Sequence, residues 1–386
     1  MLPRLLILPE KQNLILFGAR GTGKSTLVKK QFNAERSLYI NLLLPEEEER
    51  FARNPSELHA LTLALPTQIT HIVIDEIQKI PKLLSVVHEL IESTPKKFVM
   101  TGSSARKLKY GGADLLAGRA FIYHLFPFSF LELGAQFHLS HALHWGLLPK
   151  TIALETAEDK MQFLQAYAYT YLKEEIWAEQ LIRKLDPFRR FLEVAAQCNG
   201  KIINYANIAR DVGVDDKTIR GYFSILEDTL IGFFLEPYLH SFRKRLSLKP
   251  KFYFFDVGVT RVLARMLSLP LKPGNSLYGD TFEHFIILEC IKLAYYYQPE
   301  FRFSYLRTKD DAEIDLVVER PGCPILFIEI KSSTSVTEEN LYTLKQLSRD
   351  FETCESVCFS NDVRRKRFGN LTVIPWQEGI KQYFTK

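Results

Sequence analysis

The stretch Phe17–Lys30, FGARGTGKSTLVKK, decides the fold of the first third of the chain. It follows the apolar run Leu14–Leu16, which predicts a strand, and it continues into helix-compatible sequence. In such a loop glycines turn backbone N–H groups around an anion, a lysine adds charge at the β- and γ-phosphates, and a hydroxyl binds Mg²⁺. The stretch therefore predicts a nucleotide-binding loop. Four residues have the spacing G-x-x-x-x-G-K-[ST]: Gly18, Gly23, Lys24 and Ser25.

A second signal lies at His71–Asp75, HIVID, which predicts a buried strand and is followed directly by Glu76. In a parallel sheet the carboxylates at the end of such a strand emerge at its carboxyl edge, near bound phosphates. We expect Asp75 to hold Mg²⁺ together with Ser25. Glu76 is placed to orient and polarise the water that attacks the γ-phosphate.

Two further strands are predicted, Leu38–Leu44 and Phe98–Ser104. The second strand ends in hydroxyls, and we expect Thr101 and Ser103 to lie between the two motifs. Capping of the strand by these hydroxyls is an equal alternative. Strands that alternate with helices predict a doubly wound parallel sheet. The predicted nucleotide-binding residues are Gly18, Gly21, Thr22, Gly23, Lys24, Ser25, Thr26, Asp75 and Ser103.

Arg119 lies in the stretch Leu115–Ala120, LLAGRA. An arginine can stabilise the charge on a phosphoryl group during transfer, either in cis or from a neighbouring subunit. A surface salt bridge is the alternative, and the residues leave both open.

The composition fits a soluble protein of two or three domains. The chain has 386 residues, of which 46% are hydrophobic and 25% are charged. Its net charge of +5 is compatible with nucleic acid as a partner. The five cysteines are scattered, which indicates a reducing compartment. No apolar run reaches the ~18 residues of a membrane span, so we predict a cytoplasmic protein with no membrane partner.

The middle of the chain predicts helices. We expect a helical lid at 136–185, which ends near Ile182. Residues 186–250 predict a winged helix, with helices at Tyr205–Val212 and after Asp215, and strands at Leu230–Leu235 and Lys251–Phe255. DNA contact is open, because acidic residues surround the two basic side chains of the second helix. The wing itself would be the basic turn at Arg243–Arg245.

The last third predicts a second site. Alternation sets Glu329 and Lys331 on one face of the strand Ile325–Lys331. We expect Asp315 and Glu329 to hold Mg²⁺, and Lys331 to position water or steady a phosphate. Glu283, predicted in the first turn of a helix that begins near Thr281, would complete the shell. An ordinary sheet with surface ion pairs is the alternative.

Nearly the full length resembles a prokaryotic AAA-type ATPase with a C-terminal domain of unknown function related to PD-(D/E)xK nucleases. The resemblance implies ATP binding at Gly23, Lys24 and Ser25. It also implies a P-loop core at 1–135 and a restriction-endonuclease-like α/β domain at 251–386. Arg119 matches the L-x-G-R stretch of the family. The stretches that carry the resemblance include GARGTGKST, HIVIDEIQKIP, LLAGRA, TFEHFIILE, AEIDLVVE and LFIEIKSS.

These observations predict an ATP-hydrolysing protein whose nucleotide state controls a Mg²⁺-dependent nuclease-like domain that acts on DNA. The alternative is a regulatory switch ATPase that binds a partner protein or nucleic acid without cleavage. Self-association is expected if Arg119 acts in trans. The predicted catalytic residues are Glu76, Arg119, Glu283, Asp315, Glu329 and Lys331.

Overall fold

A five-stranded parallel sheet carries the predicted nucleotide-binding loop, and its strand order is β2-β3-β4-β1-β5. The computed structural model describes residues 2–104, 116, 118–171, 185–238 and 249–385. The basic turn Arg243–Arg245, Leu115 and the predicted end of the lid near Ile182 lie outside these residues. The strands are β1 Leu14–Phe17, β2 Ser37–Asn41, β3 His71–Asp75, β4 Lys97–Gly102 and β5 Phe121–His124.

The order of this sheet explains where the motifs meet. The stretch Gly18–Ser25, named the phosphate loop below, leaves the carboxyl end of β1, and Asp75 ends β3. β4 lies between these two strands, with Val99 paired to Leu14 on one side and to Val73 on the other. The polar tip of β4 is therefore held between the phosphate loop and Asp75.

Within the residues that the structure describes, four α-helices connect these strands. The predicted strand Leu38–Leu44 is wrong at its end, because β2 stops at Asn41 and the chain then turns. Leu43 and Leu44 are about half exposed in that turn, and Pro45 opens the next helix. The helices are α1 Lys24–Gln31, α2 Pro45–Arg53, α3 Glu57–Ala64 and α4 Leu83–Ser93.

In its described residues, the middle of the chain is mostly helical, as predicted. Within it, α10 (Tyr205–Val212) and α11 (Asp216–Asp228) form a helix–turn–helix around Gly213, whose φ of +80° suits glycine. Asp215 caps α11, because its side chain accepts from the Thr218 N–H at 2.7 Å. The helices are α5 Phe130–Leu133, α6 Leu139–Trp145, α7 Pro149–Ala153, α8 Ala157–Ala166, α9 Leu185–Gln197, α10 Tyr205–Val212 and α11 Asp216–Asp228, and a π-helix spans Tyr167–Tyr171.

An antiparallel hairpin follows α11. Its strands are β6 Gly232–Pro237 and β7 Lys251–Phe254. β6 begins later than the predicted Leu230, because Leu230 has a φ of +60° and still belongs to the turn that ends α11. A winged helix built from α10, α11 and this hairpin stays a prediction.

The hairpin joins a mixed eight-stranded sheet of order β12-β13-β11-β10-β9-β8-β6-β7. The junction is a parallel pairing of β6 with β8, in which Glu236 pairs with Ser304. This sheet therefore runs across the predicted division at residue 250, and the division into domains stays a prediction. The remaining strands are β8 Arg302–Arg307, β9 Glu313–Glu319, β10 Ile325–Lys331, β11 Cys354–Ser360, β12 Lys366–Phe368 and β13 Leu371–Pro375.

A 22-residue helix, α13 Ser276–Tyr297, packs against one face of this sheet. It begins earlier than predicted, because the Asn275 side chain accepts from the Tyr278 N–H at 2.7 Å and caps it. Glu283 therefore lies two turns inside the helix, and its predicted place in the first turn is wrong. The other helices of this region are α12 Val257–Leu263, α14 Tyr342–Leu347 and α15 Trp376–Phe384.

Short 3-10 helices lie between these elements, at Ile77–Lys79, Gly134–Gln136, Glu339–Leu341 and Ser348–Asp350. In the parts of the chain that the structure describes, no helix is both long enough and apolar enough to cross a bilayer.

Candidate functional site

The phosphate loop needs its glycines for two different reasons. Gly21 and Gly23 have φ values of +79° and +97°, which favour glycine. A Cβ on Gly18 would lie 2.4 Å from the Leu125 carbonyl oxygen, so the two backbones pack too closely here for any side chain. The loop is also tied to itself, because the Thr22 hydroxyl donates to the Ala19 carbonyl at 2.9 Å.

Lys24 is buried and folds back over the loop. Its Nζ donates to the Gly18 carbonyl at 2.7 Å and to the Ala19 carbonyl at 3.3 Å. It also lies 3.9 Å from Glu76 Oε1. The loop carbonyls and Glu76 thus surround the ammonium group that would otherwise face a phosphate. Ser25 is partly exposed and Thr26 is exposed at the start of α1.

Asp75 is held by hydroxyl groups from the strands on both sides of β3. The Thr101 hydroxyl of β4 donates to Oδ1, and the Tyr39 hydroxyl of β2 donates to Oδ2. Burial and the neighbouring Asp75 raise the pKa of Tyr39, so its hydroxyl stays protonated and remains a donor. The apolar stretch around Tyr39 predicts only a core strand, and nothing in the sequence pattern indicates this contact.

Glu76 adopts a left-handed backbone conformation, with a φ of +62°. Non-glycine residues in this region are strained, and such strain is common at functional sites. The Glu76 N–H donates to Thr101 Oγ1 at 3.1 Å. Its carboxylate accepts from the Ser103 hydroxyl at 3.1 Å and from the Gln78 side chain. The structure therefore brings Glu76, Asp75 and Ser103 together, as the sequence predicts.

Gln78 is a member of this site that the sequence patterns do not identify. Its amide nitrogen donates both to Glu76 and to Ser103 Oγ, the latter at 2.9 Å. In the sequence, Gln78 is marked only by being a polar residue two positions beyond Glu76. The fold then buries it, to 7% exposure.

The helical segment that follows β5 covers the phosphate loop. The Tyr167 hydroxyl donates to the Arg20 carbonyl at 2.7 Å. A Cβ on Gly23 would lie 3.8 Å from the Pro149 ring. Residues of the predicted lid therefore contact the loop directly.

Arg119 lies away from the phosphate loop. Its Nε donates to Glu92 Oε1 at 2.6 Å, and this contact lowers the pKa of Glu92. Its carbonyl accepts from Asn13 Nδ2 at 3.2 Å, at the amino end of β1, whereas the loop leaves the carboxyl end. This geometry matches the salt-bridge alternative and does not bring Arg119 to the loop of its own chain. A role in trans stays a prediction.

The predicted C-terminal site residues meet at the ends of β9 and β10. These strands pair antiparallel, with Leu316 opposite Ile328, so that Asp315 and Glu329 follow at the end of the pairing. Asp315 Oδ2 accepts from the Ile330 N–H at 2.7 Å. Lys331 Nζ lies 2.6 Å from Glu329 Oε1.

Glu283 reaches the same place from α13. Its Oε1 accepts from the Tyr253 hydroxyl at 2.9 Å and lies 3.9 Å from Lys251 Nζ. Lys251 is 3% exposed and also pairs with Glu313. The sequence assigns Lys251 and Tyr253 to a wing strand, although a lysine directly before four aromatic residues is an unusual pattern. The carboxylate cluster comprises Glu283, Glu313, Asp315 and Glu329, with Lys251 and Lys331.

The carboxylate cluster shifts the pKa values of its members. Removal from water, followed by repulsion from Asp315, raises the pKa values of Glu283 and Glu329 to about 8 each. Burial also raises the pKa of Asp315. Burial alone would lower the pKa of Lys251, but the charges of Glu283, Glu313 and Asp315 outweigh it and raise this pKa.

The cluster offers an incomplete set of metal ligands. Glu329 Oε2 is buried and has no hydrogen-bond partner among the residues that the structure describes. Such an oxygen fits a cation, and Mg²⁺ commonly binds one or two carboxylates with water and substrate oxygens. Within the described ranges, however, no group of three or more His, Cys, Asp or Glu side chains is arranged to hold a metal ion. Asp315 and Glu329 as Mg²⁺ ligands, with Glu283 completing the shell, therefore stay a prediction.

Comparison with protein families divides the chain into three matches. Residues 10–134 match the AAA domain, residues 136–269 match a domain of unknown function (DUF8612), and residues 278–378 match another (DUF4143). The first match confirms the predicted AAA-type ATPase domain. The third match carries no description of activity, so the nuclease-like resemblance stays a prediction.

Two curated relatives have no described activity. An uncharacterized protein of Mycobacterium tuberculosis is 28% identical over 324 residues, which cover 83% of this chain and 70% of that protein. An uncharacterized protein of Methanocaldococcus jannaschii is 21% identical over an alignment of 420 positions, which covers 95% of this chain and 84% of that protein.

Solved structures give only a weak likeness. The Aeropyrum pernix ORC2 protein, in ADPNP–ADP complexes, matches with 12% identity and a TM-score of 0.37 and covers 67% of this chain and 87% of that one. Domain III of the Thermotoga maritima replication initiation protein DnaA matches with 16% identity and a TM-score of 0.25 and covers 57% of this chain and 85% of that one. At these scores the likeness supports no conclusion about this chain.

The raised pKa of Glu329 predicts a dependence of stability on pH. Its folded-state pKa of about 8 exceeds the unfolded value of ~4.3, so the folded state keeps a proton that the unfolded chain has lost. The free energy of unfolding therefore falls as pH rises between these values. In Glu329→Gln the free energy of unfolding should fall less between these pH values than it does in the wild type. Urea midpoints in EDTA, at about pH 5.5 and about pH 8.5, measure this fall.

The exposed Glu352→Gln is the matched control, and its loss should equal that of the wild type. An equal loss in Glu329→Gln and the wild type would contradict the assignment of the proton to Glu329.

Proposed function

We propose that this AAA-type protein binds and hydrolyses ATP with Mg²⁺ at the phosphate loop, and that its nucleotide state controls a Mg²⁺-dependent nuclease-like region that acts on DNA. One observation carries the control: α13 contacts the carboxylate cluster through Glu283 and the segment beside the phosphate loop through its last turns.

At the phosphate loop, the arrangement supports separate roles for the individual side chains in ATP hydrolysis. Lys24 would exchange its bonds to loop carbonyls for bonds to the phosphates. Ser25 and Asp75 would hold Mg²⁺, which neutralises charge on the phosphates. Glu76 would take the proton of the water whose oxygen attacks the γ-phosphorus, as the bond to ADP breaks. The bonds from Ser103 and Gln78 would first have to release its carboxylate.

At the carboxylate cluster, the donor set supports phosphodiester chemistry. Asp315 and Glu329 would hold Mg²⁺, which would polarise a phosphate oxygen. Lys331 would position water or steady the phosphate. Glu283, bonded to Tyr253, would orient this arrangement from α13.

The link between the sites begins with a buried ion pair. Lys292 Nζ lies 3.0 Å from Glu289 Oε1 and donates to the Phe128 carbonyl at 3.3 Å. Glu289 Oε2 accepts from the Phe130 N–H at 3.0 Å. α13 is thereby fixed to the segment that leaves β5.

The same segment contacts the phosphate loop. The Phe126 N–H donates to the Tyr296 hydroxyl at 3.3 Å, and the carbonyl of the preceding residue, Leu125, lies against Gly18. From Glu283 to Tyr296 the helix spans about 20 Å, at ~1.5 Å per residue. A shift of the phosphate loop on nucleotide binding would therefore reach the carboxylate cluster through one rigid element.

A switch ATPase that binds without cleaving is the second candidate. Raised pKa values keep Glu283 and Glu329 largely protonated near neutral pH, which disfavours metal binding. The guanidinium of Arg220, on the second helix of the helix–turn–helix, lies 3.9 Å over the ring of Tyr205. The raised pKa values favour a switch without cleavage, and the contact with Tyr205 occupies one of the two basic side chains of this helix.

Glu76→Gln tests the ATPase assignment. The variant should bind ATP as the wild type does but hydrolyse it about 100-fold more slowly, because an amide cannot accept the proton of the attacking water. Phosphate release measures hydrolysis, and a fluorescent ATP analogue measures binding. The exposed Glu35→Gln is the control, and Lys24→Ala should lose binding. A wild-type rate in Glu76→Gln would remove Glu76 from the mechanism.

A DNA cleavage assay separates the two candidates. Plasmid, linear and single-stranded DNA are incubated with Mg²⁺ or Mn²⁺, with and without ATP. The proposal expects cleavage that depends on nucleotide and is abolished in Lys331→Ala and Asp315→Asn, whereas Glu352→Gln cuts normally. ATP hydrolysis without any cleavage that depends on Lys331 would instead support the switch.

A further inference from the structure

On the basis of the function proposed above, we infer that Tyr39 is a positioning residue for Mg²⁺ at the phosphate loop. Its hydroxyl holds in place Asp75, one of the two side chains predicted to bind the ion.

Tyr39 contacts one of the two predicted ligands directly. Its hydroxyl donates to Asp75 Oδ2. The other carboxylate oxygen of Asp75 accepts from Thr101. Since β2 and β4 flank β3, the Asp75 carboxylate is fixed from both sides of its own strand.

The ring of Tyr39 does not by itself explain this residue. It is partly buried beside α1, with Lys29 Nζ 4.6 Å from the ring centroid. Phenylalanine would fill the same space and keep the cation–π contact. What the hydroxyl adds to the ring is its hydrogen bond to Asp75.

Magnesium is sensitive to this kind of support. It requires near-octahedral ligands at ~2.0–2.1 Å, so small rotations of a ligand weaken binding. Removal of a group that orients a ligand typically costs about 10–100-fold in metal affinity. Because Asp75 Oδ2 depends on the Tyr39 hydroxyl, loss of this hydroxyl would free the Asp75 carboxylate on one side.

Tyr39→Phe removes that oxygen and keeps the ring. Mn²⁺ replaces Mg²⁺, and electron paramagnetic resonance measures the free ion in the presence and absence of a non-hydrolysable ATP analogue. Only Mn²⁺ whose binding requires the nucleotide is counted, so that Mn²⁺ bound at the carboxylate cluster without nucleotide does not contribute. We expect Tyr39→Phe to raise the Kd for this Mn²⁺ about tenfold or more. Tyr123→Phe, on β5 of the same sheet, should leave it unchanged.

Nucleotide affinity in EDTA separates positioning from structure. It should be equal in Tyr39→Phe and the wild type, as should the thermal midpoint. An unchanged Kd for Mn²⁺ would overturn the inference alone. A joint fall of nucleotide affinity in EDTA and thermal midpoint would also overturn it, because Tyr39 would then be structural. A wild-type protein that binds no nucleotide would overturn the proposed function and the inference with it.

Discussion

The buried ion pair between Glu289 and Lys292 is the interaction on which the arrangement of the two sites depends. Both residues are on α13, with exposures of 0% and 3%, and both also bond to the backbone of the segment after β5. Loss of one partner would leave the other charged and buried, at a cost of about 3–5 kcal/mol. The pair therefore fixes where α13 meets the segment that supports Gly18. Through this pair, the carboxylate cluster and the phosphate loop are connected to the same helix, α13.

The two sites differ in how their charges are balanced. Around the phosphate loop, the buried charged groups have defined partners: Lys24 contacts carbonyls and Glu76, and Asp75 accepts from two hydroxyls. This arrangement can exchange its bonds for bonds to a nucleotide and Mg²⁺. In the carboxylate cluster, acids outnumber the lysines, and the pKa values of Glu283 and Glu329 rise to about 8. Excess acid held together by the fold is the arrangement that a bound cation would stabilise.

The sequence predicts what is encoded locally and misses what depends on contacts between distant strands. The phosphate loop and the strand His71–Asp75 follow from motif and periodicity, and the structure has that strand at the predicted bounds. Tyr39 lies in an apolar stretch that predicts a core strand, and only the pairing of β2 with β3 brings it to Asp75. Lys251 lies in a predicted wing strand, and only the tertiary fold brings it to Glu283 of α13 and Glu313 of β9. The start of α13 is missed because Gly279 and Asp280 interrupt the apolar pattern, whereas the cap at Asn275 decides it. The AAA-type domain is confirmed by its family match, and the nuclease-like region stays a prediction.

Control of the carboxylate cluster by the nucleotide is the central claim, and hydrogen exchange tests it most directly. Amide exchange of the full chain is compared with a non-hydrolysable ATP analogue, with ADP and without nucleotide. We predict that the analogue changes protection in α13 and in the strands β9 and β10, and that Lys24→Ala abolishes this change. Protection that changes only at 14–104, with none at 276–331, would contradict the account.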